Sequence, residues 1–285
     1  MSIKKEIVQQ IELTKLLPFP DHPFAVRDDE IMQETVESIS KYGVLVPAIA
    51  RPLPDGNYEL ISGHRRKNAC DRAGYNTMPV IVRDLDDDAA TIMMVDSNLQ
   101  REKILPSEKA KAYKMKLEAI KRQGTRVDLT SAQVGRKLET AEIIGQDAGD
   151  SRTQVRRYIR LTELKPELQQ MVDEGKMGMT PAVELSYLGE EEQAILLTAI
   201  ESEQTSPSLS QAKRIRKLSE EKTLTDDSVL QIMSEQKKPE NKNLSFSVEK
   251  IRKYFPKSYT PRQMEDKILD LLEKYLRKRQ REAER

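Results

Sequence analysis

The stretch Ile61-Ser62-Gly63-His64-Arg65-Arg66-Lys67-Asn68-Ala69 places a glycine between an apolar run and a cluster of cations. Upstream, residues 48–51 and 58–61 have the composition of two short strands joined by a turn at 54–57. Downstream, residues 66–73 have helical spacing and end at Gly74. The sequence therefore predicts that Gly63 lies where a strand passes into a helix.

A glycine turn of this kind is suited to an anion. Free backbone N–H groups and the helix dipole favour negative charge at a helix start, and guanidinium groups add paired hydrogen bonds to phosphate oxygens. A solvated basic helix start is the alternative explanation when the glycine and arginines are considered alone.

Composition limits the class of protein. The 285 residues are enough for about two or three domains. With 37% hydrophobic and 33% charged residues, no Trp and four Phe, the chain suits several small helix-rich units better than one large core. The net charge of +1 means that any nucleic-acid binding must come from a local basic patch.

Cellular location can also be predicted from the sequence. The single Cys70 excludes an internal disulfide framework and fits a reducing compartment. No apolar run approaches the roughly 20 residues that span a bilayer, and the first residues lack a secretory signal. We expect a soluble cytoplasmic protein.

The order of strand and helix signals predicts the domain organisation. Up to about residue 100 the two signals alternate, with strands at 7–13 and 78–83 and a helix from Asp28-Asp29-Glu30 to Gly43. After Asp86 the chain is mainly helical. The helices begin with 89–98 and 107–122, and we expect a polar break at 124–128 and a further helical group at 190–221. The predicted parts are an α+β domain (1–102), an all-α domain (103–221), a linker (222–245) and a small C-terminal helical unit (246–285).

Residues 141–161 have the layout of a helix-turn-helix. A short amphipathic segment ends at Gly149, Asp150-Ser151 offers a helix cap, and the next helix turns Val155 and Ile159 inward. Residues 151–165 hold five Arg or Lys and one acidic residue. Arginine and glutamine recognise guanine and adenine edges, although an ordinary solvated helix would show the same charges. The predicted DNA-binding residues are Ser151, Arg152, Thr153, Gln154, Arg156, Arg157 and Arg160.

The last helix is predicted from a strong start signal, Thr260-Pro261-Arg262-Gln263. It carries one apolar stripe, made of Met264, Ile268, Leu271, Leu272 and Tyr275. Homodimerisation through this stripe is the simplest hypothesis, and packing on residues 246–255 of the same chain is the alternative. The basic residues 277–281 suit either non-specific DNA contact or a solvated helix end.

Several segments in the same order resemble the ParB partition-protein family. Gly63-His64-Arg65-Arg66 resembles the glycine-arginine signature of the family, and Asn98-Leu99-Gln100-Arg101 matches its second signature. Pro23-Phe24-Ala25-Val26-Arg27 resembles a first signature that ends in arginine. The helix-turn-helix, Glu174-Gly175-Lys176-Met177 and Thr180-Pro181-Ala182 follow in the order found in the family. The resemblance covers about residues 5–220, and more loosely a C-terminal dimerisation unit.

The resemblance implies a fold and a mechanism. The N-terminal domain would have the ParB/sulfiredoxin-like fold and would act as a CTP-dependent clamp on DNA. The helix-turn-helix would bind a palindromic centromere site, and a ParA-type ATPase would be the partner of a homodimer on the nucleoid or a plasmid. CTP with Mg²⁺ is the implied cofactor, and Asn98 is the implied metal ligand. The implied nucleotide-binding residues are Arg27, Ser62, Gly63, His64, Arg65, Arg66, Asn98 and Arg101.

Two positions depart from the family pattern. His64 and Ser97 stand where the family usually has glutamate, and the second of those carboxylates is tied to metal binding and hydrolysis in the family. A hydroxyl carries no charge, so we expect nucleotide binding with slow or absent CTP hydrolysis.

Two other classes of function remain open. The N-terminal fold is shared with sulfiredoxin and with free-serine kinases, so an enzyme is one alternative. Sulfiredoxin has its reactive cysteine within the glycine turn, whereas Cys70 falls on the following helix, where a small core residue is expected. A DNA-binding transcription regulator or nucleoid-occlusion-type protein without a partition role is the other alternative.

Overall fold

The computed structural model describes residues 7–100, 104–128, 141, 144–145, 148–235, 252–256 and 259–283. The chain divides into two compact units, Met1–Glu235 and Gln236–Arg285.

The first unit begins with a five-stranded mixed sheet. Its strands are β1 (Val8–Glu12), β2 (Leu16–Pro18), β3 (Ala48–Pro52), β4 (Tyr58–Ser62) and β5 (Thr77–Val82). They lie in the order β1-β5-β3-β4-β2. The β3/β4 and β1/β5 pairs are antiparallel, whereas β2/β4 and β3/β5 are parallel. The predicted hairpin and both flanking strands are confirmed.

Three helices accompany the sheet: α1 (Glu30–Tyr42), α2 (His64–Arg72) and α3 (Asp87–Leu99). Helix α1 starts where predicted, because the Asp29 side chain accepts the Met32 N–H at 2.9 Å, and Gly43 follows its last residue. One face of α1 and α2 covers the sheet through Met32, Ile39 and Ala69. The α+β class of the N-terminal part is confirmed.

From residue 104 onward, the described residues of the first unit are mainly helical, as predicted. Its helices are α4 (Pro106–Asp128), α5 (Arg152–Leu161), α6 (Pro166–Asp173), α7 (Met179–Leu185), α8 (Glu190–Glu203), α9 (Leu209–Glu220) and α10 (Asp226–Ser234). Leu161, Leu168, Leu185, Leu196 and Ile215 form the centre of their shared core.

The structure corrects two predicted boundaries. Helix α4 continues through the expected break at 124–128 and ends at Asp128. One glycine costs a helix only about 1 kcal/mol, which an established helix tolerates. Part of the linker predicted for 222–245 is instead a helix, because α10 occupies Asp226–Ser234 and buries Val229, Ile232 and Met233 in the helical core. Residues 236–245 lie outside the described residues.

A third apolar cluster joins the N-terminal part to the helix-turn-helix. It contains Phe24 and Met94 from the first hundred residues, Tyr113 from α4, and Ile144 and Val155 from the helix-turn-helix. The packing is therefore continuous across the predicted division at residue 102.

In the second unit, α11 (Pro261–Ala283) begins where predicted. Thr260 N–H donates to Gln263 Oε1 at 2.9 Å, and Thr260 Oγ1 accepts the Gln263 N–H at 3.4 Å. Met264 is buried, whereas Leu271, Leu272 and Tyr275 are each more than half exposed. Among the described residues, no helix combines the length and the apolar character needed to cross a membrane.

Candidate functional site

The Gly63 turn joins β4 to α2, as predicted. Gly63 precedes the first residue of α2 with φ of 109°, a conformation that side chains other than glycine rarely adopt. A Cβ at this position would lie 2.8 Å from the Cβ of Ala48. The turn is therefore pressed against the start of β3, and two separate constraints require glycine.

The cations around this turn differ in their partners. Arg65 Nη2 donates to Asp29 at 2.8 Å, and this hydrogen bond lowers the pKa of the Asp29 carboxyl. Arg27 Nη2 donates to Glu108 at 2.8 Å. Arg66 Nη1 donates to the main-chain carbonyls of Val46 and, at 2.8 Å, Pro47.

Of these three arginines, Arg66 is the one without a carboxylate partner among the described residues. Burial lowers the pKa of its guanidinium, because water is partly excluded from the charge, and the nearby Cys70 offsets this shift only in part. An anion beside Arg66 would relieve this unfavourable arrangement.

A cleft of about 410 Å³ lies beside α2. His64 and Asn68 line it together with Lys67, whose Nζ donates to the Leu16 carbonyl at 2.6 Å. His64 is 9% exposed, its ring centroid is 4.0 Å from that of His22, and Nε2 accepts the Phe19 N–H at 3.5 Å. His64 is thus packed into the wall of the cleft.

Ser97 and Asn98 lie at the end of α3. Asn98 is 3% exposed, and its Nδ2 donates to the Met94 carbonyl at 2.7 Å. Ser97 Oγ donates to the same carbonyl at 2.9 Å. The described residues contain no group of three or more His, Cys, Asp and Glu side chains that could hold a metal ion. Since Mg²⁺ usually takes one or two carboxylates, this donor set does not fit a protein-only Mg²⁺ site. Arg101 lies outside the described residues.

The predicted recognition helix is α5. Ser151 Oγ accepts the Gln154 N–H at 3.2 Å and the Ser151 N–H donates to Gln154 Oε1 at 2.9 Å, so a complete capping box starts the helix. Val155 and Leu161 are buried on the inner face of this helix. The predicted DNA-binding residues that are exposed are Ser151, Arg152, Thr153, Gln154 and Arg156.

The other two predicted DNA-binding residues, Arg157 and Arg160, are partly buried. Arg157 Nη2 donates to Thr180 Oγ1 at 2.9 Å. Arg160 Nη2 donates to the Ser186 carbonyl at 2.7 Å, and its guanidinium lies 4.1 Å from the ring centroid of Tyr187. Both side chains therefore connect α5 to α7, Arg157 within that helix and Arg160 at its C-terminal cap.

Sequence patterns did not identify Tyr113 and Lys109, which contact Asp150 immediately before α5. Asp150 accepts a hydrogen bond from Tyr113 Oη at 2.5 Å and forms an ion pair with Lys109 Nζ at 2.6 Å. Glu108, which pairs with Arg27 and also accepts the Ala25 N–H at 3.1 Å, was missed as well. No local signal identifies these partners, because 37 and 81 residues separate the members of the Tyr113–Asp150 and Arg27–Glu108 pairs.

Cys70 is a core residue, as expected. Its side chain is fully buried, and burial raises the pKa of its thiol. A reactive cysteine needs an accessible thiolate, so this environment argues against sulfiredoxin-like chemistry.

Comparison with known proteins covers most of the chain. Residues 1–99 match the ParB N-terminal domain and residues 102–208 match the ParB HTH domain. Stage 0 sporulation protein J of Bacillus subtilis is 33% identical over 179 residues, which are 63% of this chain and 57% of that protein. The probable chromosome-partitioning protein ParB of Pseudomonas putida is 34% identical over 166 residues, 58% of this chain and 51% of that protein.

A solved structure is similar to the chain as well. The C-terminally truncated ParB of Caulobacter crescentus, in complex with the centromeric parS site, is 26% identical. The likeness covers 73% of this chain and 98% of that one, with a TM-score of 0.45. The matches span about half the length of the curated relatives. With an N-terminal ParB domain followed directly by a ParB helix-turn-helix domain, the chain belongs to the ParB family.

Proposed function

We propose that this protein is a sequence-specific DNA-binding protein of a partition system. The observation that carries the proposal is α5, a capped helix whose first turns expose polar and cationic side chains above a buried apolar face. Such a helix fits the major groove, where Arg and Gln side chains bind base edges in pairs of hydrogen bonds. Relatives named as chromosome-partitioning proteins support the partition role.

Binding to a selected palindromic site at fixed salt tests the DNA proposal. Arg156→Ala removes an exposed cation from α5 and is expected to weaken binding by roughly 5-fold to 150-fold, the range for one good base contact. Lys217→Ala, an exposed cation on α9, is the matched control and should bind like the wild type. Unchanged binding by Arg156→Ala together with Arg152→Ala would show that α5 does not recognise the site.

We further propose that the Gly63 turn binds the triphosphate of CTP and gates a clamp. Ser62, Gly63, His64, Arg65 and Arg66 would hold the phosphates, with Arg27, Asn98 and Arg101 nearby. Support comes from Arg66, a desolvated cation that lacks a carboxylate partner among the described residues. The cleft beside α2 is lined by His64 but not by Arg65 or Arg66, so it supports a ligand contact at His64 alone. Phosphate oxygens would compete with Asp29 for Arg65 and with Glu108 for Arg27.

Nucleotide binding can be tested by thermal unfolding of the full chain with CTP, ATP and GTP. A ligand present at 100 times its Kd stabilises the folded state by about 2.7 kcal/mol. We expect stabilisation by CTP that Arg66→Gln abolishes, whereas Arg72→Gln, at the far end of α2, retains it. No stabilisation by any of the three nucleotides would refute nucleotide binding. Because Ser97 carries no charge, CTP turnover should be slow or absent, and Mg²⁺ binding at Asn98 should be weak.

The clamp requires a dimer. The exposed apolar residues of α11 support a homodimer through the C-terminal unit, since a long helix usually buries such a stripe. Sedimentation of Leu272→Glu would test this proposal, and an unchanged mass relative to the wild type would contradict it. Nucleotide-dependent crosslinking of N-terminal domains on closed DNA tests closure.

Partition and regulation differ in how the protein spreads on DNA. Genome-wide enrichment with one sharp peak that extends over neighbouring DNA is expected for a sliding clamp served by a ParA-type ATPase. Many separate narrow peaks would instead indicate a transcription regulator or a nucleoid-occlusion protein.

A further inference from the structure

The turn before α5 is closed tightly by its own backbone. The Asp150 N–H donates to the Gly145 carbonyl at 3.0 Å. A Cβ at residue 145 would lie 2.3 Å from the Asp150 oxygen, so only glycine permits this approach. The close contact between Gly145 and Asp150 therefore constrains the backbone immediately before the capping box of α5.

Helix α4 fixes the same residue through side chains. Asp150 accepts from Tyr113 Oη at 2.5 Å and pairs with Lys109 Nζ at 2.6 Å, and its side chain is only 13% exposed. Burial, and then the hydrogen bond to Asp150, raise the pKa of the Tyr113 phenol. A phenol is protonated at neutral pH even at its ordinary pKa of about 10, so Tyr113 is a donor to the carboxylate.

The two α4 residues also contact α5 further along its length. The rings of Tyr113 and Tyr158 meet edge to face with centroids 5.8 Å apart, and Lys109 Nζ lies 4.9 Å from the Tyr158 centroid. Asp150 precedes the first turn of α5, and Tyr158 lies six residues after Arg152, the first helical residue, which is about 9 Å of helix. Two attachment points at that separation determine both the position and the tilt of a helix.

We propose that Tyr113, Lys109 and Asp150 are positioning residues for base readout by α5. This inference rests on the proposed DNA-binding function. Hydrogen bonds to base edges require accurate placement of the helix, whereas long cationic side chains reach phosphates from many positions. Loss of the cluster should therefore weaken binding to the palindromic site more than binding to unrelated DNA.

Tyr113→Phe is the sharpest test, because it removes one oxygen and keeps the ring that packs against Tyr158. The full chain is titrated with the selected palindrome and with a scrambled duplex at several salt concentrations. We expect the affinity for the palindrome to fall roughly ten-fold or more, as for loss of a hydrogen bond to a charged group. Affinity for the scrambled duplex should stay within about two-fold, with an unchanged salt slope.

Tyr75→Phe is the matched control. Tyr75 Oη donates to the Ile39 carbonyl at 3.2 Å on α1, so this variant loses one tyrosine hydrogen bond in the sheet domain. It should bind both duplexes like the wild type. Asp150→Asn keeps an acceptor for Tyr113 but loses the charge that faces Lys109, and it should give an intermediate loss of specificity.

Three outcomes overturn the inference. One is a Tyr113→Phe protein that binds both duplexes like Tyr75→Phe. Another is an equal loss on both duplexes with a lower thermal midpoint, which would mean general destabilisation. Finally, a wild-type protein that prefers no palindrome overturns the proposed function itself, and the positioning role with it.

Discussion

Replacement of Gly63 by alanine probes the most constrained position of the turn between β4 and α2. The added methyl group must adopt φ of 109° and would lie 2.8 Å from the Cβ and 3.3 Å from the Cα of Ala48. Ala48 is fully buried at the start of β3, so it has no free space into which to move. Either the turn or the strand must shift.

The magnitude follows from two independent contributions. A residue other than glycine in this backbone region costs about 1–3 kcal/mol. Carbon atoms pack favourably at about 3.5–4.0 Å, so a 2.8 Å approach must be relieved at a cost of about 1–3 kcal/mol. We expect Gly63→Ala to lower the free energy of unfolding by about 2–6 kcal/mol, a large part of the 5–15 kcal/mol that is usual for a folded domain.

Urea unfolding followed by circular dichroism measures this effect in a chain that has no tryptophan. Gly74→Ala is the matched control, because Gly74 has φ of 78° but no atom within 4 Å of the added Cβ. The difference between the two variants isolates the contact with Ala48. If their unfolding free energies agree within about 0.5 kcal/mol, the close approach to β3 has no energetic weight and the reasoning fails.

Three further predictions concern single side chains. Ser151→Ala removes the cap of α5 and should destabilise the protein by about 1 kcal/mol in urea unfolding, whereas Ser151→Asp keeps an acceptor and should not; equal losses would contradict the capping role. Cys70 should react slowly with thiol reagents at alkaline pH unless urea is added, and rapid labelling of the native protein would show that the thiol is accessible. Because burial raises the pKa of this thiol, its contribution to stability is full below the unfolded pKa and declines as pH rises towards the folded pKa. Asp29 has a lowered pKa, so its ion pair with Arg65 stabilises the fold above the unfolded pKa of about 4, and this stabilisation is lost as pH falls through the folded pKa. Asp29→Asn keeps the cap of α1 and should reduce the acid dependence of the urea midpoint. An unchanged acid dependence would show that the pair has no effect on stability.

Helix starts were predictable because their signals are local. Asp29 caps α1, Ser151 caps α5 and Thr260 begins α11, and each cap acts on a group only three residues away. Helix ends and linkers were less certain. Gly124 did not stop α4, and the polar composition of residues 222–245 concealed the three apolar residues that hold α10 on the helical core.

The sequence by itself determined the glycine turn at Gly63 and the capping box of α5, because these depend on residues within one or two turns of each other. It also indicated the family, through the order of several short motifs along the chain. Only the tertiary structure decided which charges meet. Pairing of Arg27 with Glu108 and of Asp150 with Tyr113 joins segments 81 and 37 residues apart. Such contacts arise when α4 packs simultaneously against α3 and α5, and no local periodicity records that packing.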